Sequence, residues 1–265
     1  MSADRLLTPI SIRERWGKVP QATLVFWLIK IVATTLGETG GDAVTMSLNL
    51  GYLVGTAIFA VLFVVAVTAQ IRATAFHAAL FWTVIVATTT VGTTLADFVT
   101  RSIGIGYIGG SVLLIALLLA TLALWYRTCG SVAISSIATH REEGFYWATI
   151  LFSQTLGTAL GDWTADAETG LGLGYEKGAL VFAIGLGLVA AAYYLTKLSR
   201  TALFWAAFVL TRPLGAMLGD LLDKPRDAGG FELSRYTASA VLAGIIVLAV
   251  ALLPQRPEPL RVQPD

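Results

Sequence analysis

The stretch Phe26-Trp27-Leu28-Ile29-Lys30-Ile31-Val32-Ala33-Thr34-Thr35-Leu36-Gly37-Glu38-Thr39-Gly40-Gly41-Asp42 decides the reading of this chain, because its skeleton returns three more times. An aromatic-Trp pair is followed by nine residues, then Gly, three residues, Gly or Ala, and Asp. The later copies are Phe81-Trp82 with Gly92, Ala96 and Asp97, then Tyr146-Trp147 with Gly157, Gly161 and Asp162, then Phe204-Trp205 with Gly215, Gly219 and Asp220. Eight to eleven residues further on comes a second signature: Gly51-Tyr52 to Gly55, Gly106-Tyr107 to Gly110, Gly174-Tyr175 to Gly178, and Gly230-Phe231 to Ser234. Self-similarity at a fixed period marks a repeat architecture.

Apolar residues make up 56% of the chain and charged residues 13%, well below the roughly one quarter of charged residues in a soluble domain. Apolar runs at 22–42, 48–69, 79–99, 106–126, 145–163, 174–196, 201–220 and 236–253 each approach the length that spans a bilayer as a helix. The expectation is an all-α integral membrane protein. Its eight transmembrane helices form four tandem two-helix repeats, at about 22–70, 78–126, 143–197 and 200–253, in a pseudo-fourfold ring or two halves. Residues 1–21 form a cytoplasmic segment without the apolar stretch of a signal peptide, so nothing is expected to be removed; residues 254–265 form a cytoplasmic tail. The terminal side carries eleven Lys and Arg against five on the other, which places both termini in the cytoplasm of a multi-pass protein of the bacterial inner membrane.

Repeats with an even number of spans enter the membrane in the same direction and are related by an axis along its normal. The glycine pairs four apart match the small-xxx-small spacing of close helix contacts, and odd and even helices are expected to meet there. Trp27, Trp82, Trp147 and Trp205 open the odd helices and read as interfacial belt anchors, as do Trp125 and Trp163 at other helix ends.

On each odd helix the positions three before the first Gly, one after it and five after it share one stripe. It reads Thr34, Glu38, Asp42 in the first copy, Thr89, Thr93, Asp97 in the second, Gln154, Thr158, Asp162 in the third and Arg212, Ala216, Asp220 in the fourth. Polar stripes in one register belong inside a bundle, since facing lipid is costly; the odd helices are therefore the expected inner ring. Fifteen residues separate each Trp from its Asp, about 22 Å of helix, which puts the carboxylates in the outward third. Lys30 lies near the first stripe, and Lys30 and Arg212 are expected to partner Glu38 and Asp220 along their own helices. The internal charges, Glu38, Asp42, Asp97, Asp162 and Asp220 against Lys30 and Arg212, then sum to minus three (−5 + 2). A cation or a proton removes such an excess. Pro213, just after Arg212, is expected to distort the seventh helix.

His77, His140 and Cys129 fall in expected loops, and a single cysteine excludes a thiolate metal site. The candidate ligands Glu38, Asp42, Asp97, Asp162 and Asp220 are oxygen donors suited to Mn²⁺, Mg²⁺, Ca²⁺, Na⁺ or a proton. Lys30, Thr34, Thr89, Thr93, Gln154, Thr158 and Arg212 complete the expected substrate path. Asp166, Glu168, Glu176 and the segment 223–227 read as solvated loops.

With its repeats laid out, the chain resembles, over residues 22 to about 253, a family of bacterial membrane proteins. Those proteins are built of four tandem two-helix repeats of unknown function and are often labelled membrane-anchored protein. The resemblance implies a fold and no activity. Ala96, Arg212, Pro213 and Ser234 depart from the repeat and count against strict fourfold symmetry. No nucleotide-binding motif, catalytic triad or redox pair is present, so the expectation is no enzyme and no cofactor. A secondary transporter of a hard cation such as Mn²⁺ leads, its partners the lipid bilayer and the cation, with no nucleic acid. A proton-coupled carrier of a small organic solute and a non-transporting scaffold are the alternatives.

Overall fold

The computed structural model describes residues 16–260; the basic residues Arg5, Arg13, Arg15 and Arg261, part of the charge argument for the termini, lie outside them. Among the described residues there are eight long helices: α1 (Leu24–Asp42), α2 (Gly51–Arg72), α3 (Ala78–Asp97), α4 (Gly106–Cys129), α5 (His140–Ala165), α6 (Gly174–Leu195), α7 (Arg200–Asp223) and α8 (Arg235–Leu252). Their starts are written locally. The Thr23 hydroxyl accepts from the Phe26 N–H, Ser199 accepts from Ala202, and Thr139 forms a capping box with Glu142, each satisfying donors that the first turn leaves free. Cys129 and His140, expected in loops, are the last residue of α4 and the first of α5.

Seven of the eight helices are long and apolar enough to cross a membrane. The exception is α5, although it is the longest at 26 residues. Ser153, Gln154, Thr155, Thr158 and Asp162 dilute its apolar content, and all of them are buried. A helix enclosed by protein needs no uniformly apolar surface.

The odd helices form a closed inner ring, α1 against α3, α3 against α5, α5 against α7 and α7 back against α1. The even helices lie outside and are displaced by one repeat: α2 packs chiefly on α3, α4 on α5, α6 on α7, and α8 on α1. Burial divides the two sets. Over half of the apolar span is buried in α1, α3 and α7 (56%, 61% and 72%), against 6%, 28%, 6% and 17% in α2, α4, α6 and α8. Outer-helix residues such as Leu53, Val64, Leu119, Leu188 and Val247 are exposed.

The glycines of the odd helices correct the expected packing. The pairs four apart on the odd helices meet the next odd helix, while the expected odd–even contact is made from the even side, where a methyl group added to Gly178 of α6 would lie 2.9 Å from Met217 Sδ of α7. A methyl group added to Gly37 would lie 2.3 Å from Thr89 Cγ2, to Gly41 3.1 Å from Thr93 Cγ2, and to Gly92 3.0 Å from Gln154 Cβ. At Gly157 it would lie 2.3 Å from Arg212 Cγ, at Gly215 2.1 Å from Thr34 Oγ1, and at Gly219 2.6 Å from Glu38 Cβ. The glycines of one inner helix thus seat the stripe of its neighbour, in parallel register, all the way round. Gly51, Gly106 and Gly174 serve differently: with φ of 74°, 74° and 69° they turn the chain into the even helices, a conformation that costs glycine little.

The tryptophans are a second correction. Trp82, Trp125, Trp147 and Trp205 are buried, while Trp27 and Trp163 are partly buried. The aromatic pairs close a girdle inside the ring, Phe26 to Phe81 at 6.4 Å, Phe81 to Trp147 at 5.6 Å, Tyr146 to Trp205 at 6.1 Å and Phe204 back to Phe26 at 6.4 Å. Aromatic contacts each contribute about 0.5–1.5 kcal/mol beyond area burial, and an inward-turned pair at every helix start makes them sum around a circle. Across this end run two short strands, β1 (Trp16–Pro20) and β2 (Pro257–Pro259), paired antiparallel. Lys18 Nζ donates to the carbonyls of Ile71 and Ala73 at the end of α2, both at 2.9 Å, and pairs with Glu143 of α5 at 2.6 Å.

The seating of side chains on glycine generates a direct test. Gly215→Ala is expected to lower stability by about 1–3 kcal/mol, the cost of overpacking, read as an earlier thermal unfolding midpoint in detergent. Gly244→Ala in α8, where nothing lies within 4 Å of the added carbon, is expected to stabilise by up to about 1 kcal/mol through helix propensity.

Candidate functional site

The twelve stripe positions are all buried, from 0% exposure at Thr34, Thr89, Gln154 and Arg212 to 6% at Asp162. They stack in three levels along the ring. Thr34, Thr89, Gln154 and Arg212 form the level nearer the aromatic girdle, Glu38, Thr93, Thr158 and Ala216 the next, and the four aspartates the mouth. α1 and α3 end at their aspartates and continue into single π-helical turns, Ala43–Ser47 and Phe98–Ser102, a form concentrated at functional sites.

Arg212 reaches across the middle level. Its Nη2 shares two N–H groups among three acceptors, Glu38 Oε2 of α1 at 2.9 Å, Thr158 Oγ1 of α5 at 2.6 Å and the Thr93 hydroxyl of α3. One guanidinium nitrogen therefore ties together all four inner helices. The seventh helix runs unbroken through Pro213, so the expected distortion does not interrupt it. Lys30, fully buried, donates to Thr211 Oγ1 at 2.6 Å and the Phe208 carbonyl at 3.2 Å, and its ammonium lies 3.8 Å from the Phe208 ring centre. The expected pairing is thus corrected. Arg212 serves Glu38 across the ring in preference to Asp220 on its own helix, because α1 seats directly on α7. Lys30 turns to α7 and takes no carboxylate in any ion pair among the described residues.

At the mouth the four aspartates form two pairs, each bridged by one basic side chain. Arg101 Nε lies 3.1 Å from Asp97 Oδ1 and its Nη2 2.9 Å from Asp162 Oδ2. Lys224 Nζ lies 3.1 Å from Asp220 Oδ1 and also holds Asp42 Oδ2. The bridges come from repeats two and four, so the mouth has the symmetry of two halves. Arg235 adds contacts to Asp223 Oδ2 at 3.0 Å and to Asp42 Oδ2 at 3.9 Å. With Arg101 and Lys224 included, the five candidate carboxylates face four cations, and the expected excess of minus three falls to minus one (−5 + 4). Asp223 and Arg235 enter as a further balanced pair.

Carboxylate oxygens of Glu38, Asp42 and Asp220 all lie within 4.8 Å of one another. The structure thus gathers three of the five expected ligands; Asp97 and Asp162 stand apart around Arg101. Of the path residues, Thr93, Thr158 and Arg212 meet at Glu38, while Thr34, Thr89, Gln154 and Lys30 lie one or two turns below. Asp166 stays outside this cluster, its carboxylate accepting from the Thr169 N–H and hydroxyl and from the Glu168 N–H; these bonds hold its carboxyl below the usual range.

A family model of a repeat of unknown function, DUF347, matches residues 25–76, 80–131, 145–199 and 203–254, four consecutive copies covering most of the chain. The chain belongs to that family. No curated protein and no solved structure matches it. Each DUF347 copy here begins at the aromatic girdle and contains one stripe with its aspartate. Of the residues that complete the mouth, Asp223 and Lys224 were expected in a solvated loop, and Arg101 and Arg235 were counted only among the basic residues of the outer side. A signal for two of them is present: Arg101 and Lys224 stand four residues after Asp97 and Asp220, the spacing that pairs opposite charges along a helix.

Removing one partner of a buried ion pair costs about 3–5 kcal/mol, whereas replacing both by apolar groups is often neutral. Arg212→Met is therefore expected to destabilise the protein by about that amount, and Arg212→Met with Glu38→Met by much less, measured by unfolding in detergent.

Proposed function

We propose that this protein resides in the bacterial inner membrane with all eight helices spanning it and both termini cytoplasmic, and that it is a secondary transporter of a hard cation. The observation that carries this reading is the buried cluster of Glu38, Asp42 and Asp220, with carboxylate oxygens within 4.8 Å of one another. Oxygen donors in that number suit a divalent ion such as Mn²⁺ or Mg²⁺. Two of the three carboxylates are already held by the ammonium of Lys224, whose side chain is 14% exposed, at the end of a flexible stem. Substrate exchanges with this tethered cation: the ion takes Asp42 and Asp220 as Lys224 swings out, and the cluster stays near neutrality in both arrangements. Glu38, joined to Arg212, links the arriving charge to the contact that holds all four inner helices.

The aromatic girdle supplies the barrier at the opposite end. Its rings sit fifteen residues from the carboxylates along each odd helix, so they do not line the carboxylate cluster as a pocket for an organic solute would. The aromatic side chains at the mouth, Tyr52 and Tyr107, stand beside Arg101 and the Asp97–Asp162 pair, so the cation reading rests on the carboxylate cluster itself. A scaffold would have no use for a charge cluster whose members are this costly to bury.

In proteoliposomes, Mn²⁺, Mg²⁺, Ca²⁺ and Na⁺ uptake is to be compared with empty vesicles. One of them is expected to enter saturably, with Asp42→Asn and Glu38→Gln reducing its rate at least about tenfold, the effect of roughly 1.4 kcal/mol. Lys224→Met, which removes the competing ammonium, is expected to lower the half-saturating concentration. Uptake no different from empty vesicles for every ion, or aspartate variants as active as wild type, would overturn the cation reading.

A further inference from the structure

Below the carboxylate cluster the charge of the ring reverses. Toward the aromatic girdle from Glu38 the buried stripe holds Arg212 and Lys30, both 0% exposed, and no carboxylate. At the same level several polar atoms are buried without a partner: Nε and Nη1 of Arg212, both side-chain polar atoms of Gln154, and the hydroxyls of Thr89 and Ser153. A buried polar group without a partner costs about 1–3 kcal/mol. Such groups are scattered one at a time in most proteins; here they gather at one level and come from α3, α5 and α7, with Lys30 completing the circle from α1. The glycine seats set that level, since Thr89, Gln154 and Arg212 rest on Gly37, Gly92 and Gly157.

The character of the set is donating. Arg212 has only N–H groups to offer, Lys30 likewise, the Gln154 amide can present its NH₂, and hydroxyls donate as readily as they accept. Glu38 neutralises one of the two cations through Arg212 Nη2; the second has only a carbonyl, a hydroxyl and a ring face. A buried charge is costly until it is paired or neutralised, and an anion beside Lys30 pairs it.

We propose that Lys30, Thr89, Ser153, Gln154 and Arg212 form a binding site for a small monovalent anion, either a free halide-sized ion or the carboxylate end of a solute. The site rests on the carrier reading and deepens it by giving the cation an anionic companion on the same axis, which offsets one of the two charges of a divalent ion.

The test is thermal unfolding of the full chain in detergent at fixed sodium and ionic strength, with isethionate, a sulfonate without a carboxylate, replaced stepwise by chloride, nitrate or formate. A ligand that binds only the folded state raises stability by mass action. At tenfold over half-saturation the wild-type midpoint is expected to rise by about 3–6 °C for a chain of this size. The rise is expected to vanish in Gln154→Leu and Lys30→Met and to survive in Asp42→Asn. A response to chloride or nitrate identifies a free ion, and a response to formate alone identifies a carboxylate-bearing solute. A wild-type midpoint indifferent to every monoanion, or one that shifts equally in Gln154→Leu, overturns the anion site. Thr89→Val, close in shape to the native residue, replaces any variant that does not fold. A parallel titration with Mn²⁺ or Mg²⁺ in isethionate separates the two ideas. Response to the metal without response to anions removes this proposal alone, and response to anions without response to metals removes the carboxylate site alone.

Discussion

Everything in this protein depends on four helices being able to approach one another closely enough to share a polar interior. Glycine permits that approach, and it does so in a particular way: each inner helix offers a glycine pair or its equivalent as a flat seat, and the neighbour's stripe is laid on it. Thr34 on Gly215 and Arg212 on Gly157 are the same contact made by chemically different residues. The seat fixes depth, so polar groups far apart in sequence arrive at common levels. Chemistry then varies at constant geometry, with Thr, Gln and Arg occupying equivalent places.

The electrostatic arrangement follows from this stacking. Carboxylates gather at the mouth, where Arg101 of the π-helical turn, Lys224 just after α7 and Arg235 at the start of α8 reach in and offset their buried charge. Deeper, one ion pair is wholly enclosed, Arg212 with Glu38, and its guanidinium touches all four helices of the ring. Buried ion pairs contribute little net stability but penalise every arrangement that separates them. In this ring the pair acts as a register pin, since a slip of one helix by a turn would strand a charge.

Much of this was legible in the residues. Periodicity exposed the four copies and the eight helices, and the stripe identified the interior face, because a polar row in an apolar helix has only one tolerable place to point. Three features were not legible. Glycine spacing announces a close contact without naming the partner, so the seating of α1 on α7 rather than on an even helix needed three dimensions. The tryptophans looked interfacial because an indole at a helix end ordinarily meets headgroups; only ring closure turns the Phe81-Trp82 and Phe204-Trp205 pairs inward. Lys224 was read as part of a solvated loop and Arg101 only as a charge of the outer side, though their spacing from Asp220 and Asp97 carried the signal. The low apolar content of α5 is the converse case, a helix whose enclosure by neighbours leaves it below the apolar content by which spans are recognised.

The offset of the outer helices has a consequence for how the molecule is made. Because α2 rests on the following repeat and α8 returns to α1, no repeat encloses its own polar stripe, and a nascent chain cannot finish any one of them in isolation. Glu38 leaves the ribosome 174 residues before the arginine that neutralises it. During that interval its carboxylate must be sheltered by protonation, by water or by another protein. The ring is completed only when the last pair of helices arrives, so quality control acting on this protein has a single late event to inspect: whether the first helix and the seventh have met.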